Sequence, residues 1–192
     1  MAAPFVRTIA PEMSPAKIFC ATLIFYALLA FTKWVWDGAN VQPHMLLIST
    51  VLAVLLAILT AIDLQTFRLP DAITLPLIVL GLSLSALVPT PALLERVAAA
   101  AVAYAMLAGV ASLYQRLRRR PGLGLGDAKL FAASGSWLGL LNLPTVLLIA
   151  STSALLLIVI RILRDGGSSV NEPIAFGPFL AFGFWCVWIL SL

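Results

Sequence analysis

Long apolar runs separated by short polar stretches organise this chain. The runs cover residues 18–36, 45–62, 72–88, 93–114, 127–141, 145–163 and 174–192. A helix needs about 20 apolar residues to cross a hydrocarbon core about 30 Å thick. Most of the runs approach that length, and local thinning of the bilayer can accommodate the shorter ones. The pattern predicts an all-α fold, a polytopic transmembrane helical bundle in one membrane-embedded domain over 1–192. We expect seven spans, or six if the first run lies at the interface or the fifth is re-entrant. The first run is longer than a signal-peptide core and has no small-x-small cleavage site before Asp37. It reads as a retained span behind a cytoplasmic segment at 1–17, with Trp34 and Trp36 near the interface. Pro76 is expected to bend the third run near its start.

Composition agrees with burial in lipid. Hydrophobic residues make up 62% of the 192 and charged residues only 10%, where soluble domains have roughly 25% charged. A net charge of +4 could suggest nucleic acid, but the basic residues lie between the apolar runs and read as topology signals. If the segment 63–71 faces the cytoplasm, that side also collects Arg7, Lys17, Arg68, Arg116, Arg118, Arg119, Arg120, Lys129, Arg161 and Arg164. Only Lys33 and Arg96 fall on the other side, so the bias sets the orientation. No nucleic-acid partner is expected. Cys20 and Cys186 lie in apolar runs with no CxxC partner, which points to buried thiols and not to a metal site or a disulfide.

Three acidic residues lie where they are costly. Glu12, Asp37 and Glu95 lie in flanking or non-cytoplasmic positions, and Asp165 and Glu172 occupy a polar loop. Asp63, Asp71 and Asp127 sit at the ends of apolar runs, and an ionisable residue at a membrane span is a functional candidate by default. Asp63 ends the second run and Asp127 begins the fifth. One span out and one back separate them, so both emerge at the same face of the membrane. Two carboxyl groups held close favour a state with one proton between them. The anion can then take a proton from water while the neutral acid hydrogen-bonds a scissile carbonyl. Such chemistry needs neither metal nor cofactor.

Other readings remain open beside this one. Asp127 could simply cap its helix after the glycine-rich stretch of Gly122, Gly124 and Gly126, although those glycines would also let an extended substrate approach closely. Asp71 is expected to be an N-cap, with support of the site as a second role. Lys129 could bias the charge of Asp127 or reach to the interface. Arg68 reads first as a topology signal. Ala101, Ala105 and Gly109 recur at four-residue spacing and predict a close-packing helix face.

The residues around these aspartates form familiar motifs. Ala61-Ile-Asp63-Leu-Gln-Thr-Phe-Arg-Leu-Pro70-Asp71 resembles the first active-site motif of the type IV prepilin peptidases: Asp, six residues, Pro, then Asp or Asn. Gly124-Leu-Gly126-Asp127-Ala-Lys129 resembles their Gly-x-Gly-Asp signature. Ile174-Ala-Phe176-Gly177-Pro178-Phe-Leu-Ala resembles a stretch of their last helix. The resemblance implies a polytopic aspartic endopeptidase of the bacterial inner membrane, working at the cytoplasmic face. Its substrate would be the helix of a prepilin or pseudopilin with a basic leader, bound laterally in the lipid bilayer. Asp63 and Asp127 match the catalytic pair. Pro70, Asp71, Gly124, Gly126, Lys129, Gly177 and Pro178 are the matching residues that would bind substrate or support the site. Bifunctional members carry a further N-terminal domain with paired CxxC motifs and also methylate the new N-terminus. This sequence has no CxxC, so N-methylation is predicted absent. The rival class is a proton-coupled transporter or a secretion-complex subunit, which would place its carboxylates nearer mid-membrane or leave them dispensable. No signal for an oligomeric state stands out.

Overall fold

The computed structural model describes residues 22, 24, 26–27, 43–87, 92–118, 124–165 and 174–192. The chain is an all-α membrane bundle. Among the described residues there are six α-helices and no strands. They are α1 (Pro43–Thr66), α2 (Asp71–Ala86), α3 (Ala92–Arg118), α4 (Leu125–Leu138), α5 (Leu143–Asp165) and α6 (Gly177–Ser191), with a single 3-10 turn at Leu140–Asn142. The run expected at 18–36 lies outside the described residues, apart from Thr22, Ile24, Tyr26 and Ala27.

Helix is the form in which an apolar chain satisfies its own backbone without water. Several hydroxyls within the helices follow the same rule. Thr50, Ser83, Ser85 and Ser153 each donate to the carbonyl four residues back, so none requires solvent. His44–Thr66, Leu93–Leu117 and Leu140–Ile160 are long and apolar enough to cross a membrane. Asp71–Ala86 and Gly177–Ser191 are shorter apolar helices. Leu47, Leu94, Leu148, Leu155 and Leu163 stand mostly exposed, a surface that suits lipid contact and not water.

The bundle is built around α4. Its 14 residues span roughly 21 Å at about 1.5 Å per residue, short for a helix that must face lipid. Lipid is not its surroundings: apart from Lys129, every residue from Asp127 to Leu138 is buried. Small side chains allow this enclosure. A Cβ on Gly135 would lie 2.8 Å from the Ala99 carbonyl carbon, so α3 and α4 touch backbone to backbone. Gly81 of α2 receives the Trp137 ring, whose indole N–H donates to the Leu77 carbonyl at 2.8 Å. Trp137 also meets Trp188 of α6 edge-on, with ring centroids 5.2 Å apart. Trp188 in turn donates to Ser49 Oγ of α1 at 2.9 Å.

The close-packing face of α3 is not the one expected. Ala101, Ala105 and Gly109 are exposed, and nothing lies within 4 Å of a Cβ placed on Gly109. Ala99, Ala100, Ala103, Leu107 and Ala111 are buried instead. Residues 98–101 are all alanine, so small residues occur on every side of this helix and spacing alone does not choose a face. Pro76 lies inside α2, which continues unbroken to Ala86.

Candidate active site

Three helix ends meet where Asp63 and Asp127 lie. Helix α1 continues one turn past the expected end of its apolar run, to Thr66, so Asp63 stays on the helix. The Phe67 N–H donates to the Asp63 carbonyl at 2.8 Å, and Phe67 adopts φ of 53°. This left-handed residue stops the helix and turns the chain. Thr66 Oγ1 stitches the exit by donating to the carbonyls of Ile62 and Arg68, at 2.9 and 3.1 Å. Only Phe67, Arg68, Leu69 and Pro70 then separate α1 from α2. Pro70 is extended, at φ −72° and ψ 133°, and its carbonyl accepts from the N–H groups of Ile73 and Thr74.

The Asp63 carboxylate is 4% exposed. Its Oδ2 accepts the backbone N–H of Gly177 at 3.1 Å. Gly177 is the first residue of α6, with Pro178 beside it, and proline suits that place because its missing N–H would have no partner there. The positive end of α6 therefore faces Asp63. A Cβ on residue 177 would lie 2.5 Å from Asp63 Oδ2, so glycine is what allows the carboxylate to approach.

Asp127, 8% exposed, lies in the first turn of α4. It does not occupy the N-cap, which is Gly124. From the third position of the helix its Oδ2 accepts the Gly124 N–H at 3.3 Å, while the Asp127 N–H donates to the Gly124 carbonyl at 3.2 Å. Capping and proximity to Asp63 thus coexist: Gly126, beside Asp127, and Gly177, which bonds Asp63, both lie against Leu69. Two helix N-termini converge on two buried carboxyl groups, which offsets part of the cost of enclosing them.

Leu69 ties the two sides together, and sequence reasoning missed it. It is 8% exposed. A Cβ on Gly126 would lie 2.8 Å from Leu69 Cβ, and one on Gly177 would lie 3.3 Å from Leu69 Cδ1. One leucine therefore touches the glycine beside Asp127 and the glycine that bonds Asp63. The available signal was its place as one of two leucines, with Leu64, in the polar segment 63–71.

The remaining expected residues fall around this centre. Asp71 is not an N-cap: Pro70 holds that position, and no side chain caps the helix. Asp71 is the first residue of α2, and its Oδ1 pairs with Lys129 Nζ at 2.5 Å. Lys129 thus spends its charge on Asp71. Arg68 is exposed and lines a shallow concavity with Ile62, Thr66, Leu69, Pro70 and Asp71. Both aspartates sit at helix ends, not mid-helix as a transporter site would place them. Leu87, Arg96 and Asn142 line a common cavity at the far end of α2.

The fold and the site define a class: a helical membrane protein with two buried aspartates, each met by a helix N-terminus, at one end of its bundle. The type IV leader peptidase family model matches residues 50–159, which include both aspartates, and the chain belongs to that family. A prepilin leader peptidase/N-methyltransferase of Burkholderia pseudomallei (strain 1026b) is 42% identical over 131 residues, covering 68% of this chain and 42% of the relative. The protein of that name from Aeromonas hydrophila is 39% identical over 140 residues, covering 72% and 48%. That from Dickeya chrysanthemi is 40% identical over 158 residues, covering 80% and 54%. The chain spans about half the length of these curated relatives. No solved structure matches it.

Proposed function

We propose that this protein is an aspartic endopeptidase that removes the leader of a type IV prepilin or pseudopilin, with Asp63 and Asp127 as its catalytic pair. The observation that carries the reading is the gathering of two buried aspartates about Leu69, at the junction of α1, α4 and α6, in a chain of the leader peptidase family. One aspartate, ionised, takes a proton from water as the water attacks the scissile carbonyl. The other, protonated, hydrogen-bonds the carbonyl oxygen and stabilises the charge that develops there. Collapse of the tetrahedral intermediate expels the amine, which leaves with a proton from the pair.

The substrate would be a helix with a basic leader and an apolar stem. Its stem would lie in lipid against the bundle, and its leader junction would meet the loop 67–70. The excess of basic residues on the side of Asp63 supports a cytoplasmic active site in a bacterial inner membrane. To test the activity, membranes containing the protein are incubated with a prepilin, and the product is analysed by mass spectrometry. A single cut at the leader junction, missing from membranes without the protein, supports the reading. Intact substrate across a panel of prepilins and pseudopilins overturns it.

A further inference from the structure

We infer that Leu69 and the Asp71–Lys129 ion pair act as one positioning device that sets the separation of the Asp63 and Asp127 carboxyl groups. The inference rests on the catalytic reading above and deepens it.

The connection from Asp63 to Asp71 has little freedom. Its first half is fixed by the Phe67 N–H on the Asp63 carbonyl and by Thr66 Oγ1 on Arg68. Its second half is fixed by Pro70, whose carbonyl accepts from the first turn of α2. Leu69 is the buried residue between these anchors, and it fills the gap between Gly126 and Gly177. Gly126 precedes Asp127 directly, and Gly177 holds Asp63. Any displacement of Leu69 therefore moves both carboxyl groups.

Farther along, α2 is held to α4 by the Trp137 N–H on the Leu77 carbonyl. The Asp71–Lys129 pair adds a tie at the start of α2. It joins the first residue of α2 to α4, half a turn beyond Asp127, across 58 residues of sequence. Lys129 faces Asp71, and its relative exposure of 25% against 58% for Asp71 places the pair at the rim and not within the site. Both residues are positioning residues, since they act through Leu69 and the loop. An exposed pair of this kind adds little to global stability, but small misplacements of reacting groups cost rate heavily.

The test measures kcat and KM for leader cleavage by the full chain in lipid vesicles. The forms compared are wild type, Asp71→Asn, Lys129→Gln, the charge reversal Asp71→Lys with Lys129→Asp, and Leu69→Ala, with Asp63→Ala as the inactive control. Thermal unfolding of each is recorded alongside. We expect kcat to fall about tenfold in each single variant, as for a misplacement of less than 1 Å, with KM within twofold. The reversed pair should regain most of the loss. If the single variants keep wild-type kcat while Asp63→Ala is inactive, the positioning role is wrong and the catalytic reading stands. A rise in KM at unchanged kcat, or a loss that the reversal does not repair, also overturns it. If Asp63→Ala cleaves like wild type, the catalytic reading itself fails.

Discussion

Replacing Gly177 with alanine should damage cleavage while sparing the fold. The added Cβ would lie 2.5 Å from Asp63 Oδ2 and 3.0 Å from its Cγ, and the next nearest atom is Leu69 Cδ1 at 3.3 Å. No backbone atom stands among these neighbours, and Gly177 has no positive φ that alanine would resist. The helix can therefore accept the methyl group. The carboxylate must rotate away and lose the Gly177 N–H, now at 3.1 Å. A hydrogen bond to a charged acceptor contributes about 1.5–3 kcal/mol, and about 1.4 kcal/mol is tenfold in rate. With that bond at full strength only in the transition state, kcat should fall roughly 10- to 100-fold. The assay is leader cleavage in vesicles at saturating substrate, with thermal unfolding measured on the same preparation. Wild-type kcat in a normally folded Gly177→Ala protein would refute the reasoning, because the displaced carboxylate could not then be the one that acts. Loss of folding would refute it differently, by showing that α6 cannot absorb the methyl group.

Other outcomes follow from the same geometry. Gly126→Ala should lower kcat with a smaller change in KM, because its Cβ would meet Leu69 Cβ at 2.8 Å and the Leu69 amide nitrogen at 3.3 Å; steady-state kinetics checks this. Trp137→Phe should lower stability in denaturant unfolding by about 1–2 kcal/mol, through loss of the bond to the Leu77 carbonyl, with kcat kept at temperatures where the protein stays folded. Gly135→Ala should cost about 1–3 kcal/mol by overpacking, since Ala99 backbone lies 2.8 Å from the new Cβ; the same unfolding experiment reads it. The pH profile of kcat should be bell-shaped. Acid protonates both carboxyl groups and removes the base, while alkali ionises both and removes the acid. A rate that rises to a plateau with no alkaline fall would contradict a shared proton.

Much of this arrangement was legible in the sequence because lipid imposes a simple rule. The described apolar residues from 45 onward are mostly helical, since apolar backbone without water has few other options. Counting spans placed Asp63 and Asp127 at the same end, which needs no knowledge of packing. What stayed hidden depends on how helices rotate and on which side chains meet. The buried face of α3 could not be read from Ala101, Ala105 and Gly109, because its neighbours are equally small. The Asp71–Lys129 pair joins residues 58 apart, and local reading gave each of them only near neighbours: Asp71 as an N-cap, Lys129 as a bias on Asp127 or an interface anchor. N-capping was the rival reading of Asp127 because aspartate prefers that position; its third-position role follows from helix α4 starting at Leu125. Leu69 carried no motif signal of its own, since its importance comes from two glycines on other helices.

The central claim is that Asp63 and Asp127 act as one catalytic pair. The most direct measurement is prepilin leader cleavage by purified protein in vesicles, comparing wild type with Asp63→Ala and Asp127→Ala at matched protein levels and verified folding. The account predicts cleavage by wild type and none above background by either variant. Full cleavage by either single variant would contradict it.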